Sequence, residues 1–183
     1  MVNLDAFAER IAFKMKSINN EKTASIEVMK YGLLIFFNLF SIVVSSTLIG
    51  FVTGKLMETL FVLLAFAVLR ACTGGRHLKS SIGCILFSAT ILSIIPHIPL
   101  NQISTLIVTI STIIIIIFFA PFELENQTNI PKKYYPLLKA IAIILVTINI
   151  FFLSEALAIC SFIQSLMLIR GKGGIVDEKN SSI

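Results

Sequence analysis

Between two long apolar runs, Arg70-Ala71-Cys72-Thr73-Gly74-Gly75-Arg76-His77-Leu78-Lys79-Ser80-Ser81-Ile82-Gly83-Cys84 crowds two thiols, one imidazole, three glycines and three cations together. A thiol and an imidazole are the parts of a cysteine nucleophile and its base. Their spacing sets a condition. Seven residues along one helix rise about 10.5 Å, whereas proton transfer needs heavy atoms about 3–4 Å apart. A continuous helix from His77 to Cys84 therefore cannot pair them. Gly74-Gly75 predicts a break in the incoming helix, because glycine accepts backbone angles that other residues avoid. Ser80 or Ser81 is a good N-cap for the outgoing one. His77 then belongs to a loop folding back over a first helical turn that holds Cys84. A helix N-terminus with Arg76 and Lys79 beside it favours a thiolate.

Taken alone, the pair is a weak signal. Cysteine is common in apolar interiors, and a loop histidine is more often an interfacial hydrogen-bonding group. Cys72, His77 and Cys84 lack a fourth ligand and the usual spacing for zinc, so neither metal nor cofactor is expected. Cys160 falls in an apolar run and reads as a packing residue.

The elements that must position this stretch belong to a membrane protein. Of 183 residues, 56% are hydrophobic and 14% charged, and the mean hydropathy is +0.93. A soluble domain carries about 25% charged residues. A core of this size cannot hide the excess, so lipid must solvate it. No short apolar segment with a cleavage site opens the chain, and no removable signal peptide is expected.

The pattern predicts an all-α, polytopic fold with six transmembrane helices. Leu4, Phe7, Ile11, Met15 and Ile18 form an apolar stripe on a helix over residues 2–18, predicted to lie in the membrane interface; a surface helix packed on the bundle fits the same pattern. The first span covers about 31–52, and Gly54-Lys55 turns the chain into the second, which ends near Ala71. The third covers about 81–95 and stops at Pro96-His97-Ile98-Pro99. The fourth covers 103–120, and a polar loop from Pro121 through Glu123 and Glu125 to Lys133 follows. The fifth covers 137–153, and a corner at Ser154-Glu155 leads to the sixth, which ends near Ile169. Three regions result: residues 1–23, amphipathic helix and linker; 24–170, the six-helix domain; and 171–183, a polar tail expected to be flexible.

With six spans and the N-terminus inside, every Lys and Arg except Lys55 falls on the cytoplasmic side. That asymmetry is the positive-inside signature. It accounts for the net charge of +5 without nucleic acid as a partner, and it puts the His77–Cys84 loop at the cytoplasmic face.

With topology and motif together, the chain resembles the accessory gene regulator B (AgrB) family of bacterial membrane cysteine endopeptidases. The resemblance centres on Arg70-x4-Gly75-x-His77-x3-Ser81-x2-Cys84, with Ala120-Pro121 opening the later loop as a weaker match. Two positions depart from the pattern. Cys72 stands where a bulky residue is expected, and Arg76 where members vary. The resemblance implies Cys84 as nucleophile, His77 as base, and Arg70, Gly75 and Ser81 as supporting motif residues. It also implies a homodimer in the bacterial cell membrane and an AgrD-like pro-peptide substrate. That substrate would have an amphipathic helix, a core carrying cysteine or serine, and an acidic tail. Arg76, Lys79, Lys132 and Lys133 are candidates for meeting the tail. Glu123 and Glu125 read as solvated loop carboxylates rather than partners of His77. The rival reading is a small transporter or scaffold with a basic loop, but the paired intramembrane charges and helix-interrupting repeats of a transport path are missing.

Overall fold

The computed structural model describes residues 4–18, 23–75, 81–122 and 130–169. Within them run α1 (Leu4–Ile18), α2 (Ile26–Val52), α3 (Leu56–Thr73), α4 (Ser81–Ile94), α5 (Gln102–Phe119), α6 (Tyr135–Phe152) and α7 (Glu155–Leu166). Short 3-10 turns at Ile95–His97 and Lys132–Tyr134 follow α4 and precede α6. Polar residues start several helices. Asn101 accepts from the Ser104 amide at 2.8 Å to cap α5. Ser25 and Ser154 cap α2 and α7 in the same way, each at 3.4 Å, so orphan N–H groups at these helix starts are satisfied.

Among the described residues, four helices are long and apolar enough to cross a membrane: α2, α3, α5, and α6 with its preceding turn. Their outward positions include Phe40, Phe51, Leu64, Phe118 and Phe151, all exposed. So broad an apolar surface requires lipid around it. The expected third and sixth spans are shorter. α4 has 14 residues and α7 has 12, so they reach about 21 and 18 Å at 1.5 Å per residue, against a hydrocarbon core about 30 Å thick. α4 gives way to a 3-10 turn containing Pro96, and α7 ends three residues before Ile169, in turns bonded Met167 N to Gln164 O and Leu168 N to Ser165 O.

The chain divides into two compact units, with α3 running from one into the other. The first contains α1, α2, the start of α3, and α4. Here α1 packs on α2 through its smallest residues, Ala8 and Ala12, both fully buried. The Phe7 and Phe37 rings lie 5.5 Å apart, and Glu9 bonds Lys30 at 2.7 Å. That hydrogen bond, and then the lysine charge, hold the exposed Glu9 carboxyl below the usual carboxylate range. The larger stripe residues Phe7, Met15 and Ile18 stay exposed. α2 turns into α3 within three residues. Gly54 takes φ +70°, and the Lys55 amide returns to the Gly50 carbonyl at 2.9 Å.

The second unit holds the end of α3 with α5, α6 and α7. Leu69 and Cys72 of α3 join Ile116, Ala120, Ala142, Val146 and Leu168 in its core. Asn149, fully buried, organises the α6–α7 corner. Its Oδ1 accepts from the Ser154 amide at 2.9 Å. Its Nδ2 donates to the Ser154 carbonyl and to Thr109 Oγ1 of α5, each at 3.1 Å.

Candidate active site

The three thiols have different surroundings. Cys72 and Cys160 are buried, at 7% and 0% exposure; Cys72 lies in the second unit's core. Cys84 is the fourth residue of α4, on its first turn, and is partly exposed. A thiol that must meet a substrate needs that access, and the first turn of a helix is where unsatisfied N–H groups gather. Only Cys84 combines the two. Ser81 is the first residue of α4.

Upstream, α3 stops at Thr73, and both glycines of the pair take positive φ, +75° at Gly74 and +126° at Gly75. The expected helix break is therefore present. Two segments hold it. Gly74 pairs with Phe122 in an isolated parallel bridge: the Gly75 amide donates to the Phe122 carbonyl, and the Phe122 amide to the Thr73 carbonyl, both at 3.0 Å. From α7, Gln164 Nε2 donates to the Gly74 carbonyl at 2.7 Å and to Thr73 Oγ1 at 3.1 Å. A Cβ on Gly75 would lie 3.4 Å from Arg70 Nη1 and 3.5 Å from Gln164 Nε2, and at φ +126° a side chain there is strained regardless of space. Arg70, in the last turn of α3, donates from Nη1 to Met167 Sδ at 3.4 Å.

The structure thus brings Arg70 and Gly75 together in the second unit, while Cys84 and Ser81 belong to the first. His77, Arg76, Lys79, Glu123 and Glu125 lie outside the described residues. Lys132 and Lys133 are exposed on the turn before α6, with Lys133 Nζ 4.9 Å from the Tyr134 ring centroid. No cluster of His, Cys, Asp and Glu among the described residues could hold a metal. Gln164 and Phe122 escaped the sequence reading. The available signal for Gln164 was a lone long amide in an apolar helix, a polar residue that a membrane segment retains for a reason.

Fold and site together define an all-α integral membrane protein with an accessible thiol opening a short helix and a clamped glycine turn just upstream. The family model described as accessory gene regulator B matches residues 6–169. An AgrB-like protein of Halalkalibacterium halodurans is 30% identical over 148 residues, covering 80% of this chain and 75% of its own. The chain belongs to the accessory gene regulator B family, membrane proteins involved in quorum-sensing peptide processing. No solved structure gives a significant match.

Proposed function

We propose that the protein is a membrane cysteine endopeptidase that cleaves a quorum-sensing pro-peptide on the C-terminal side of its signal core. The observation that carries this is the partly exposed Cys84 on the first turn of α4, where the other two thiols of the chain are buried, in a chain of this family. His77 takes the Cys84 proton, and the thiolate attacks the carbonyl joining core to acidic tail. The C–N bond breaks, the tail amine leaves with the proton from His77, and the core remains as a thioester on Cys84. The peptide's own thiol or hydroxyl then attacks that thioester, closing a thiolactone or lactone and returning the thiol. Exchange between sulfur esters is nearly isoenergetic, so ring closure requires water to be held back, as a site at the membrane interface would do. Backbone amides at the start of α4 are the candidate oxyanion donors.

The same reading takes α4 and α7 as short fifth and sixth membrane elements beside the four full-length helices, with α1 lying in the interface. It places the motif at the cytoplasmic face and the protein as a homodimer. Family membership supports it over the transporter or scaffold. The decisive experiment incubates the reconstituted protein with a pro-peptide and looks for the core joined to Cys84 by intact-mass spectrometry. Wild type should show the thioester adduct. Cys84→Ser should abolish cleavage, because a serine hydroxyl is a far poorer nucleophile at neutral pH; Cys72→Ser and Cys160→Ser should retain most of it. Cleavage by Cys84→Ser would sink the thiol mechanism.

A further inference from the structure

We infer that the basic edge of α1, where Arg10 and Lys14 border the stripe of Phe7, Ile11, Met15 and Ile18, is a binding surface for anionic phospholipid headgroups. The inference deepens the reading of α1 as an interfacial helix and rests on it.

Successive residues of a helix turn by about 100°, which sets the order of faces around α1. Ala8 and Ala12, fully buried, meet α2. On one side of them lie Asp5, Glu9 and Lys16. On the other lies the apolar stripe, within an arc of about 80° by the same rotation. Its Phe7, Met15 and Ile18 are 49%, 45% and 78% exposed. Arg10 and Lys14, both exposed, border the stripe on its edge away from α2. At least about 100° of rotation separates them from either acid.

Asp5 and Glu9, and likewise Arg10 and Lys14, stand four residues apart, a spacing at which side chains are neighbours and like charges repel. The protein gives the acidic pair a counterion. Lys30 of α2 bonds Glu9 at 2.7 Å, and Asp5 attracts the same ammonium. Lys16, on that side, turns to the Thr23 carbonyl at 3.0 Å. The basic pair has no equivalent. No acid stands three or four residues from Arg10 or Lys14, and neither side chain is in an ion pair among the described residues. Two neighbouring cations above an exposed apolar stripe match a leaflet that sets phosphates above acyl chains. A zwitterionic headgroup would bring an ammonium of its own to this edge. An anionic one brings only the negative charge that both residues lack. Because α1 packs on a helix that crosses the membrane, its edge is held where that exchange of charge is possible.

The chain contains no tryptophan, so Ile18→Trp places a single fluorescent reporter on the stripe, one turn after Lys14. The full-length protein is reconstituted in vesicles of equal phosphatidylcholine and phosphatidylglycerol, with quenching bromine on the acyl chains of one lipid or the other. The membrane is then the same in both samples, and only the label moves. At low salt, brominated phosphatidylglycerol should quench the reporter about twofold or more strongly than brominated phosphatidylcholine. Arg10→Gln with Lys14→Gln should bring the two to equality, whereas Lys16→Gln, on the α2 side, should keep the excess. If the double variant does not accumulate in the membrane, raised salt replaces it, and the excess should shrink toward equality. Equal quenching before any charge is removed, or an excess that survives the double variant or raised salt, overturns the inference and leaves α1 in the interface. A reporter quenched by neither lipid means that protein covers the stripe, and the interfacial reading falls together with the inference.

Discussion

At the scale of single residues, buried amides hold the bends of this protein. Asn149 and Gln164 are both within 2% of complete burial, and each bonds backbone where a helix stops. Asn149 has the fuller set, with Ser154 bonded on both its amide and carbonyl, and Thr109 across to α5. The magnitudes separate these roles. Polar contacts between membrane helices average about 0.6 kcal/mol, whereas stranding buried backbone groups costs about 1–3 kcal/mol. Thr109→Val should therefore lower the thermal midpoint of the detergent-solubilised protein only slightly, and Asn149→Ala several times more. Equal losses would mean that Asn149 acts as interhelical glue rather than as the corner's brace. The sequence showed the Ser154-Glu155 corner and the Gly74-Gly75 break, since both depend on local backbone preference. It did not show the amides that lock them: Asn149 bonds Ser154 only five positions on, but its pattern of residues reads simply as apolar helix, and Gln164 acts on Thr73, brought close by tertiary packing from 91 positions away.

At the scale of elements, the tight turn between α2 and α3 depends on a missing side chain. A Cβ built on Gly50 would lie 2.7 Å from Thr59 Oγ1 and 2.9 Å from its Cβ. Thr59 is fully buried, and its hydroxyl donates to the Lys55 carbonyl at 2.7 Å, so it cannot readily give way. Gly50→Ala should thus destabilise the hairpin by about 1–3 kcal/mol, the usual range for overpacking. Thr59→Ala in the same chain should recover only part of the loss, because it removes the hydroxyl but leaves the Cβ at 2.9 Å, and a double-mutant cycle on thermal midpoints measures the coupling. Independent, additive losses would show that the turn has room to relax. The helices themselves were largely legible: apolar runs, Gly54 and the prolines located α2, α3, α5 and α6 to within a few residues. The lengths of α4 and α7 were not, because an apolar run does not say where backbone hydrogen bonding changes. For α1 the expected stripe of large side chains was only half of the arrangement. The face that packs on α2 is marked by Ala8 and Ala12, whose small size lets the helices approach closely.

At the scale of the whole molecule, charge distribution is the strongest guide to what the protein meets. Within the second unit, Arg70 ends α3, Lys132 and Lys133 precede α6, and Lys139 Nζ reaches the Ile117 carbonyl near the end of α5 at 2.6 Å. The Gly74–Phe122 bridge joins the ends of α3 and α5, so these cations share one end of the unit. Glu155 marks the other, accepting from the Leu100 amide at 3.1 Å. Positive-inside sorting accounts for such an end without any substrate, and an acidic pro-peptide tail would be drawn to it as well. Each exposed charge pair contributes roughly 0.2–1 kcal/mol, so single neutralisations should be nearly silent. Acting together they would hold the tail near the site and speed its capture, an effect that salt weakens. Neutralising Arg76, Lys79, Lys132 and Lys133 together should therefore slow cleavage in reconstituted membranes while leaving the thermal midpoint in place. Arg70 stays, since its guanidinium packs against Gly75 and Met167. The comparison that decides the point uses a second pro-peptide whose tail acids are amidated. Docking predicts that the fourfold variant and wild type cleave this neutral peptide at similar, slow rates. An equal loss on both peptides would assign the basic end to topology or fold, and the tail would need another receptor.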